Sequence, residues 1–211
     1  MEDKLYYKAT RLDGLSFHAS ANSLRPRYLP GDRIVIPQGR RAPILCSPGV
    51  IRASDAPGET LIDGSWPCRL FEVRGTPVVR DRHKHGFYEL ESIREVEAWK
   101  ALGPNGKQVA AFIERLKTLD LDARYAARVA AWDAAWDATW EAAWDAVWCA
   151  AGSAARAAGG SAAWDAARAA TWDVTGYAAV ALVVRDLISV EQFNLLYAPF
   201  AKVIPLESLE G

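Results

Sequence analysis

The sequence predicts an α+β protein, with a small, mostly antiparallel β-domain over residues 1–103 and an Ala/Trp-rich antiparallel helical bundle over residues 104–211. Two observations predict this division. In the first half, short runs of aromatic and β-branched residues alternate with turns that contain Gly, Pro and Asp, as is typical of antiparallel sheets. In the second half, alanine dominates and tryptophan recurs every four residues from Trp132 to Trp148. Alanine has the highest helix propensity, so this repeat predicts helix.

The β-domain is predicted to begin with a hairpin. Residues 4–10 contain Tyr6 and Tyr7 and form the first strand, the turn contains Gly14, and residues 15–19 return as the second strand. Further strands are predicted at residues 32–37, 49–53, 65–73, 76–80 and 87–99, with a charged turn at residues 81–86.

Glycines divide the helical half. An amphipathic helix is predicted to begin at Asn105 or Gly106. Gly152, the pair Gly159-Gly160 and Gly176 are predicted breaks because glycine weakens a helix interior. We expect helices at about residues 121–151, 161–175 and 177–187, and then a capping box at residues 189–192 opening a short helix that ends before Pro199.

The tryptophan spacing has a geometric consequence. Four residues advance an α-helix by about 400°, so each indole lies about 40° around from the last, and a long lone helix would expose indoles on every side. We therefore expect shorter helices that pack on one another. Two interpretations stay open: the indoles form a bundle core or a seam between two copies of the chain, or they form a recognition surface. The predicted interface comprises Trp132, Trp136, Trp140, Trp144, Trp148, Trp164 and Trp172.

Charge and cysteine content limit the class of protein. The formal net charge is −1, which makes nucleic acid an improbable partner. Residues 1–118 hold 19 basic and 14 acidic residues and the remainder holds 6 and 12, so the first half is the better candidate for contact with anions. Three cysteines without close pairing, no signal peptide and no bilayer-length apolar run predict a soluble, cytoplasmic protein that has no membrane partner.

No motif predicts a cofactor. Phosphate-binding glycine loops, HExxH, GxSxG and CxxC are absent from the sequence. The His83-Lys84-His85 run is interpreted as a metal-binding fragment or as a solvated turn. Cys68, which lies between Trp66 and Arg69, is interpreted as an activated thiol or as a buried strand residue.

Two candidate sites remain in the β-domain. A pocket for a phosphorylated or nucleotide ligand is predicted from cationic and aromatic side chains that can bind phosphate and stack on a base. Its residues are Tyr6, Tyr7, Lys8, Arg11, His18 and Arg69. The alternative site resembles small β-rich ADP-ribosyltransferases, which use NAD and an E-x-E motif. It would consist of Tyr7, His18, Glu89 and Glu91.

Three motifs carry a broader resemblance: residues 5–14 (LYYKATRLDG), 65–71 (SWPCRLF) and 103–106 (GPNG). Together with the Ala-Ala-Trp-Asp repeats, they resemble accessory proteins of actinobacteriophages. The resemblance implies a protein that acts in the host cytoplasm and brings no catalytic residues. We therefore expect a non-catalytic binding protein, oligomeric through its helical region, that counters a host defence by sequestering a nucleotide signal or by binding a host protein. A structural or assembly role is the third possibility.

Overall fold

The chain forms two compact units, Met1–Ala101 and Leu102–Gly211. The boundary predicted from the sequence, after residue 103, differs from this division by two residues. The computed structural model describes residues 4–17, 26–36, 43–45, 47, 49–62, 64–120, 122–123, 125–126, 129, 148–156, 160–171 and 175–210.

The first unit contains a seven-stranded antiparallel sheet, which confirms the predicted fold class. The strand order is β2-β7-β4-β1-β3-β6-β5. A short 3-10 helix, Pro57–Glu59, follows β3, and another, Ala98–Leu102, begins after β7. The strands are β1 (Leu5–Thr10), β2 (Arg33–Val35), β3 (Ile51–Ser54), β4 (Arg69–Arg74), β5 (Val79–Arg80), β6 (Lys84–Phe87) and β7 (Glu89–Val96).

β1 lies at the centre of the sheet. It pairs with β4 over its whole length, from Leu5 opposite Arg74 to Thr10 opposite Arg69, and with β3 on its other side. Alternate residues of the strands therefore point to one apolar layer. A bulge beside Glu72 shifts the register of β4 against β7. The core of this layer consists of Tyr6, Tyr28, Ile34, Ile51, Ala53, Phe71, Val73, Phe87 and Leu90.

The hairpin predicted at residues 4–19 is wrong for the part of its second strand that the structure describes. The carbonyl of Leu15 accepts from the N–H of Arg11 over 2.9 Å, but Leu15 belongs to no strand and forms an isolated bridge with Arg27. The turn itself forms as predicted: Gly14 has φ +80° and its N–H donates to the carbonyl of Arg11 over 2.9 Å. Both edges of β1 are instead occupied by β4 and β3, which come from much later in the chain.

The charged turn predicted at residues 81–86 is shorter than expected. Residues 84–86 belong to β6, which pairs with β3 and places Ala53 opposite His85. Phe87 ends this strand and lies in the core, so the long strand predicted from residue 87 begins only at Glu89. Gly86 permits the packing, because a Cβ there would lie 2.6 Å from Cγ1 of Val79.

The second unit is helical in the residues that the structure describes. α1 buries Val109, Phe112, Ile113 and Leu116, as the sequence predicted. The bounds are α1 (Gly106–Thr118), α2 (Ser161–Ala170), α3 (Thr175–Val183) and α4 (Val190–Ala201), with a further helical segment at residues 148–156 and 3-10 helices at Arg185–Leu187 and Leu206–Leu209. α3 packs against α1, α2 and α4.

The capping box predicted at the start of α4 is confirmed. The hydroxyl of Ser189 accepts from the N–H of Gln192, and the side chain of Gln192 accepts from the N–H of Ser189. The predicted end before Pro199 is wrong, since α4 continues to Ala201. A proline this close to a helix end removes only one hydrogen bond of the last turns.

The predicted break at Gly152 is also wrong, because residues 148–156 are helical throughout. A Cβ at Gly152 would lie 3.8 Å from the indole of Trp164. That distance is an ordinary van der Waals contact, so a side chain at this position would fit and the glycine does not end the helix. The helix predicted at residues 161–175 ends earlier, at Ala170, where the hydroxyl of Thr171 donates to the carbonyl of Arg168 over 3.0 Å.

Candidate functional site

Three cations are among the described residues that line one cavity of the first unit, which we call the cation cavity. Lys8 comes from the central strand β1, Arg52 from β3 and Lys84 from β6. None of the described residues that line it is a carboxylate. The remaining lining residues are Tyr7, Ala9, Phe17, Ala53, Ser54, Thr60 and Ile62.

The electrostatics of the cation cavity centre on Lys8. Its side chain is half-buried, and its Nζ lies 5.8 Å from the ring centroid of Tyr28. Lys8 has no hydrogen bond or ion pair with any residue that the structure describes. Burial, and to a smaller extent the nearby charges of Arg52 and Lys84, together lower the pKa of Lys8 to about 7.

The cavity is small. It encloses about 20 Å³, which is room for a group the size of one water molecule. A ligand would therefore insert one group among the cations while the rest of the molecule stays at the opening. Tyr7 lies on the same lining and its hydroxyl can donate to an anion, whereas the hydroxyls of Ser54 and Thr60 already donate to the carbonyls of Glu59 and Pro57, over 3.2 and 2.6 Å.

Of the six predicted ligand-binding residues, Tyr7 and Lys8 line this cavity. Tyr6 is buried in the core instead, where its ring meets His85 edge-on at 5.2 Å and Phe87 at 5.0 Å. Tyr6 therefore supports the sheet and does not present its ring to a ligand. His18 lies outside the described residues.

The two predicted arginines are engaged elsewhere. Arg69 makes a bidentate contact with Glu95, with N–O distances of 2.8 and 2.6 Å. Arg11 pairs with Asp13 at 3.1 Å. The cations that accompany Lys8 are instead Arg52 and Lys84, which the sequence interpretation missed.

The structure places the residues of the ADP-ribosyltransferase interpretation apart. Glu89 pairs with Arg33, and Glu91 pairs with Arg74 at 2.8 Å. Both glutamates line a second depression together with Arg74, Gly75, Thr76 and Tyr88. Tyr7 lines the cation cavity, and β4 separates its strand from β7. Strands two positions apart are about 10 Å apart, so the described members of this set do not share one cleft.

A second polar cluster lies beside β6. Nε2 of His85 is 2.7 Å from Oδ2 of Asp55, and Oδ1 of Asp55 is 2.7 Å from Nζ of Lys4. His85 is 5% exposed, so it is not the solvated turn residue that the sequence suggested. Glu59 is also buried, and burial raises the pKa of its carboxyl. Within the described residues, no group of three or more His, Cys, Asp or Glu is arranged to hold a metal ion.

Cys68 is a buried strand-end residue. Burial raises the pKa of its thiol to about 12, which opposes the thiolate form that a reactive cysteine needs. The structure thus favours the interpretation of Cys68 as a buried residue over its interpretation as an activated thiol. Cys149, in contrast, is exposed.

Two of the seven repeat tryptophans lie in the described part of the chain. The rings of Trp148 and Trp164 are 4.8 Å apart at 53°, and Trp148 meets Tyr177 edge-on at 5.0 Å. These two indoles therefore contact aromatic neighbours within the second unit. The other five, Trp132, Trp136, Trp140, Trp144 and Trp172, lie outside the described residues.

No family model, curated protein or solved structure matches this chain. Among the residues that the structure describes, no helix has both the length and the hydropathy that crossing a bilayer requires.

Proposed function

We propose that the first unit binds a phosphorylated ligand of the nucleotide class and retains it without turnover. The observation that carries this proposal is that Lys8, Arg52 and Lys84 are among the described residues that line one cavity, and that none of those described residues is a carboxylate. The positive charges of Arg52 and Lys84 contribute to the lowered pKa of Lys8, which supports a local potential that would favour an entering anion.

The lining chemistry suits a phosphate with an aromatic base attached. The hydroxyl of Tyr7 can donate to a phosphate oxygen, and the rings of Tyr7 and Phe17 provide faces on which a base can stack. Because the cavity has room for one small group, the phosphate would enter it and the base would remain at the opening.

The resemblance to phage accessory proteins suggests why such binding would be useful. A protein that sequesters a nucleotide signal in the host cytoplasm would block a defence that depends on that signal. Assembly of two or more copies through the tryptophan-rich helical region is part of this proposal, because it would give each particle several binding sites. Binding of a host protein through the same helical region is the alternative.

The test is isothermal titration with mono-, di- and cyclic nucleotides, NAD and inorganic phosphate at low salt, together with native mass spectrometry. We expect an intact ligand at fixed stoichiometry, and at least a tenfold loss of affinity in Arg52→Gln and in Lys84→Gln. Lys107→Gln, on α1, is the matched control and should bind like the unaltered protein.

Equal affinity in all of these variants would overturn the proposal, as would the lack of any phosphorylated ligand that binds. Release of nicotinamide from NAD would instead favour the ADP-ribosyltransferase interpretation. Circular dichroism of each variant separates loss of binding from loss of fold.

A further inference from the structure

We propose that the ligand of the first unit carries two phosphate groups, one on each side of a base that stacks on Tyr7. The inference rests on the proposed function, since the first phosphate is the one placed beside Arg52 and Lys84. It adds a second anion site, formed by Arg94, and it restricts the ligand to nucleotides whose phosphates lie on opposite sides of the base.

The strand register places one polar row across the face of the sheet that lies opposite its apolar core. Tyr7 lies opposite Ser54 on one side and opposite Glu72 on the other. Directly opposed residues of antiparallel strands point to the same face. The row therefore continues outward, to Lys84 opposite Ser54 and to Arg94 opposite Glu72. In sheet order the polar row consists of Lys84, Ser54, Tyr7, Glu72 and Arg94.

Arg52 points to the same face as the polar row. Its two neighbours along β3 belong to the apolar core, so alternation turns Arg52 to the face that carries Tyr7. Lys8 alternates to the core face instead, where its Nζ lies 5.8 Å from the ring centroid of Tyr28. The first phosphate is therefore assigned to Arg52 and Lys84 and not to the amine of Lys8.

Arg94 provides the second anion site. Its side chain is 67% exposed, and its Nε donates to Oε2 of the buried Glu72 over 2.7 Å. Arg94 makes no other hydrogen bond within the described part of the chain, so its two terminal nitrogens can donate to a ligand. A guanidinium that a buried carboxylate holds through Nε presents its remaining donors in a fixed orientation, which suits a phosphate.

Tyr7 lies between the two anion sites. Its half-buried side chain lines the cation cavity on one side. On the other side it approaches Arg94: the hydrogen bond with Glu72 does most to raise the pKa of Arg94, and the Tyr7 hydroxyl contributes in the same direction. Every base has a π-face that can stack on an aromatic side chain, so this position suits a base of either type.

The spacing of the two sites fits one nucleotide unit. The guanidinium of Arg94 reaches Glu72 on β4, and Arg52 projects from β3, so the two cations flank β1. Two strand spacings separate them, which is roughly 10 Å. A nucleoside with a phosphate at each end can bridge this span while its base lies over Tyr7.

The test is isothermal titration, at low salt, of adenosine 3′,5′-bisphosphate, which carries a phosphate on each side of its base. The matched ligands are 5′-AMP and 3′-AMP, with one phosphate each, and ADP, with two on the same side. We expect the bisphosphate to bind at least tenfold more tightly than either monophosphate and at least threefold more tightly than ADP. Tyr7→Leu should weaken all four ligands at least fivefold, and Tyr7→Phe should weaken them less, because its ring still stacks.

Glu72→Gln/Arg94→Gln is the decisive variant, since it removes both members of the ion pair and leaves no buried carboxylate without a partner. It should reduce the affinity for the bisphosphate to that for 5′-AMP, while the affinity for 5′-AMP changes less than twofold. Arg115→Gln, at an exposed position of α1, controls for the loss of positive charge and should bind like the unaltered protein. Circular dichroism of each variant identifies any loss of fold.

A bisphosphate that binds no better than 5′-AMP, or whose advantage persists in the double variant, would overturn the second anion site and leave the proposed function intact. Failure of every mono- and bisphosphate to bind would refute the proposed function as well. Affinity that rises further with each nucleotide of pApA and pApApA would refute the restriction to two phosphates and indicate a single-stranded nucleic acid.

Discussion

Nε2 of His85 lies 2.7 Å from Oδ2 of Asp55, and this contact joins β6 to the turn that follows β3. The imidazole is almost fully buried, so the carboxylate satisfies a polar atom that has little access to water. The same carboxylate also pairs with Lys4, immediately before β1. Asp55 therefore connects the beginning of the central strand with two later strands.

Removal of Asp55 should destabilise the first unit. Asp55→Ala leaves the buried ring of His85 without its acceptor, which should cost about 1–3 kcal/mol of unfolding free energy at pH 7. Burial raises the pKa of Asp55, but hydrogen bonds from Lys4 and His85 outweigh it, and the net pKa is lowered. The stabilisation is therefore present above the ordinary carboxyl pKa of about 3.9 and is lost as the pH falls below it. Urea unfolding at pH 7 and pH 3 should show the difference between the two proteins narrowing, whereas Asp165→Asn should have little effect at either pH.

The lowered pKa of Lys8 should be visible in the way that the free energy of unfolding changes with pH. Because its pKa in the folded protein is about 7, below the ordinary value of about 10.4, the unfolded chain holds more protons between these pH values. The contribution of Lys8 to the free energy of unfolding therefore rises as the pH rises from about 7 to about 10.4. Below pH 7 the amine is charged in the folded protein, and the full cost of burying that charge lowers the stability. Lys8→Met should raise the melting temperature most at pH 6 and least above pH 9. A constant difference from the unaltered protein across this range would contradict the lowered pKa, and Lys107→Met controls for the loss of one positive charge.

A methyl group should be tolerated at one glycine of the sheet unit and not at another. A Cβ at Gly75 would lie 2.6 Å from the carbonyl oxygen of Glu89, so the backbone would have to move. Gly75→Ala should cost about 1–3 kcal/mol of unfolding free energy. At Gly49 the nearest atom is the hydroxyl oxygen of Ser47 at 3.4 Å, and Gly49→Ala should change stability by less than about 0.5 kcal/mol. Chemical denaturation of both variants tests the pair, and equal costs would show that the close approach at Gly75 is not rigid.

The thiol of Cys68 should be inert in the folded protein. Its pKa of about 12, raised by burial, leaves almost no thiolate at pH 8. In Cys46→Ser/Cys149→Ser, which retains Cys68 alone, a disulfide reagent should react at least about 100-fold more slowly in buffer than in denaturant. Cys46→Ser/Cys68→Ser, which retains the exposed Cys149, is the comparison. Fast labelling of native Cys68 would restore the interpretation of this residue as an activated thiol.

Local sequence patterns predicted most of the sheet strands but not how they pair. Residues 4–10 read correctly as a strand because aromatic residues precede a Gly-containing turn. The partner of that strand was predicted wrongly, because the sequence interpretation paired it with the next segment along the chain, residues 15–19. Register between distant segments depends on which apolar faces meet, as for Tyr6 beside Val73, and no short window of sequence contains that information.

Only part of the candidate site was predicted, because its residues come from strands whose pairing the sequence does not reveal. Tyr7 and Lys8 belong to a strand that the sequence identified, and they line the cation cavity. Arg52 was missed although it alternates with Ile51 and Ala53, which is the pattern of a strand with one polar face. Lys84 was assigned to a turn because charged residues surround it, and only its pairing with Ser54 reveals the strand. Alternation could have found Arg52, whereas Lys84 required knowledge of its partner.

The central position of β1 has a kinetic consequence. Tyr7 lies opposite Glu72 in the sheet, so about 60 residues of intervening chain must close into a loop before this pair of strands gains any stabilisation. The other partner of β1, β3, is also distant in sequence, since Tyr7 lies opposite Ser54. A chain shortened before β4 would leave one edge of β1 without its partner, and exposed edges of this kind favour aggregation.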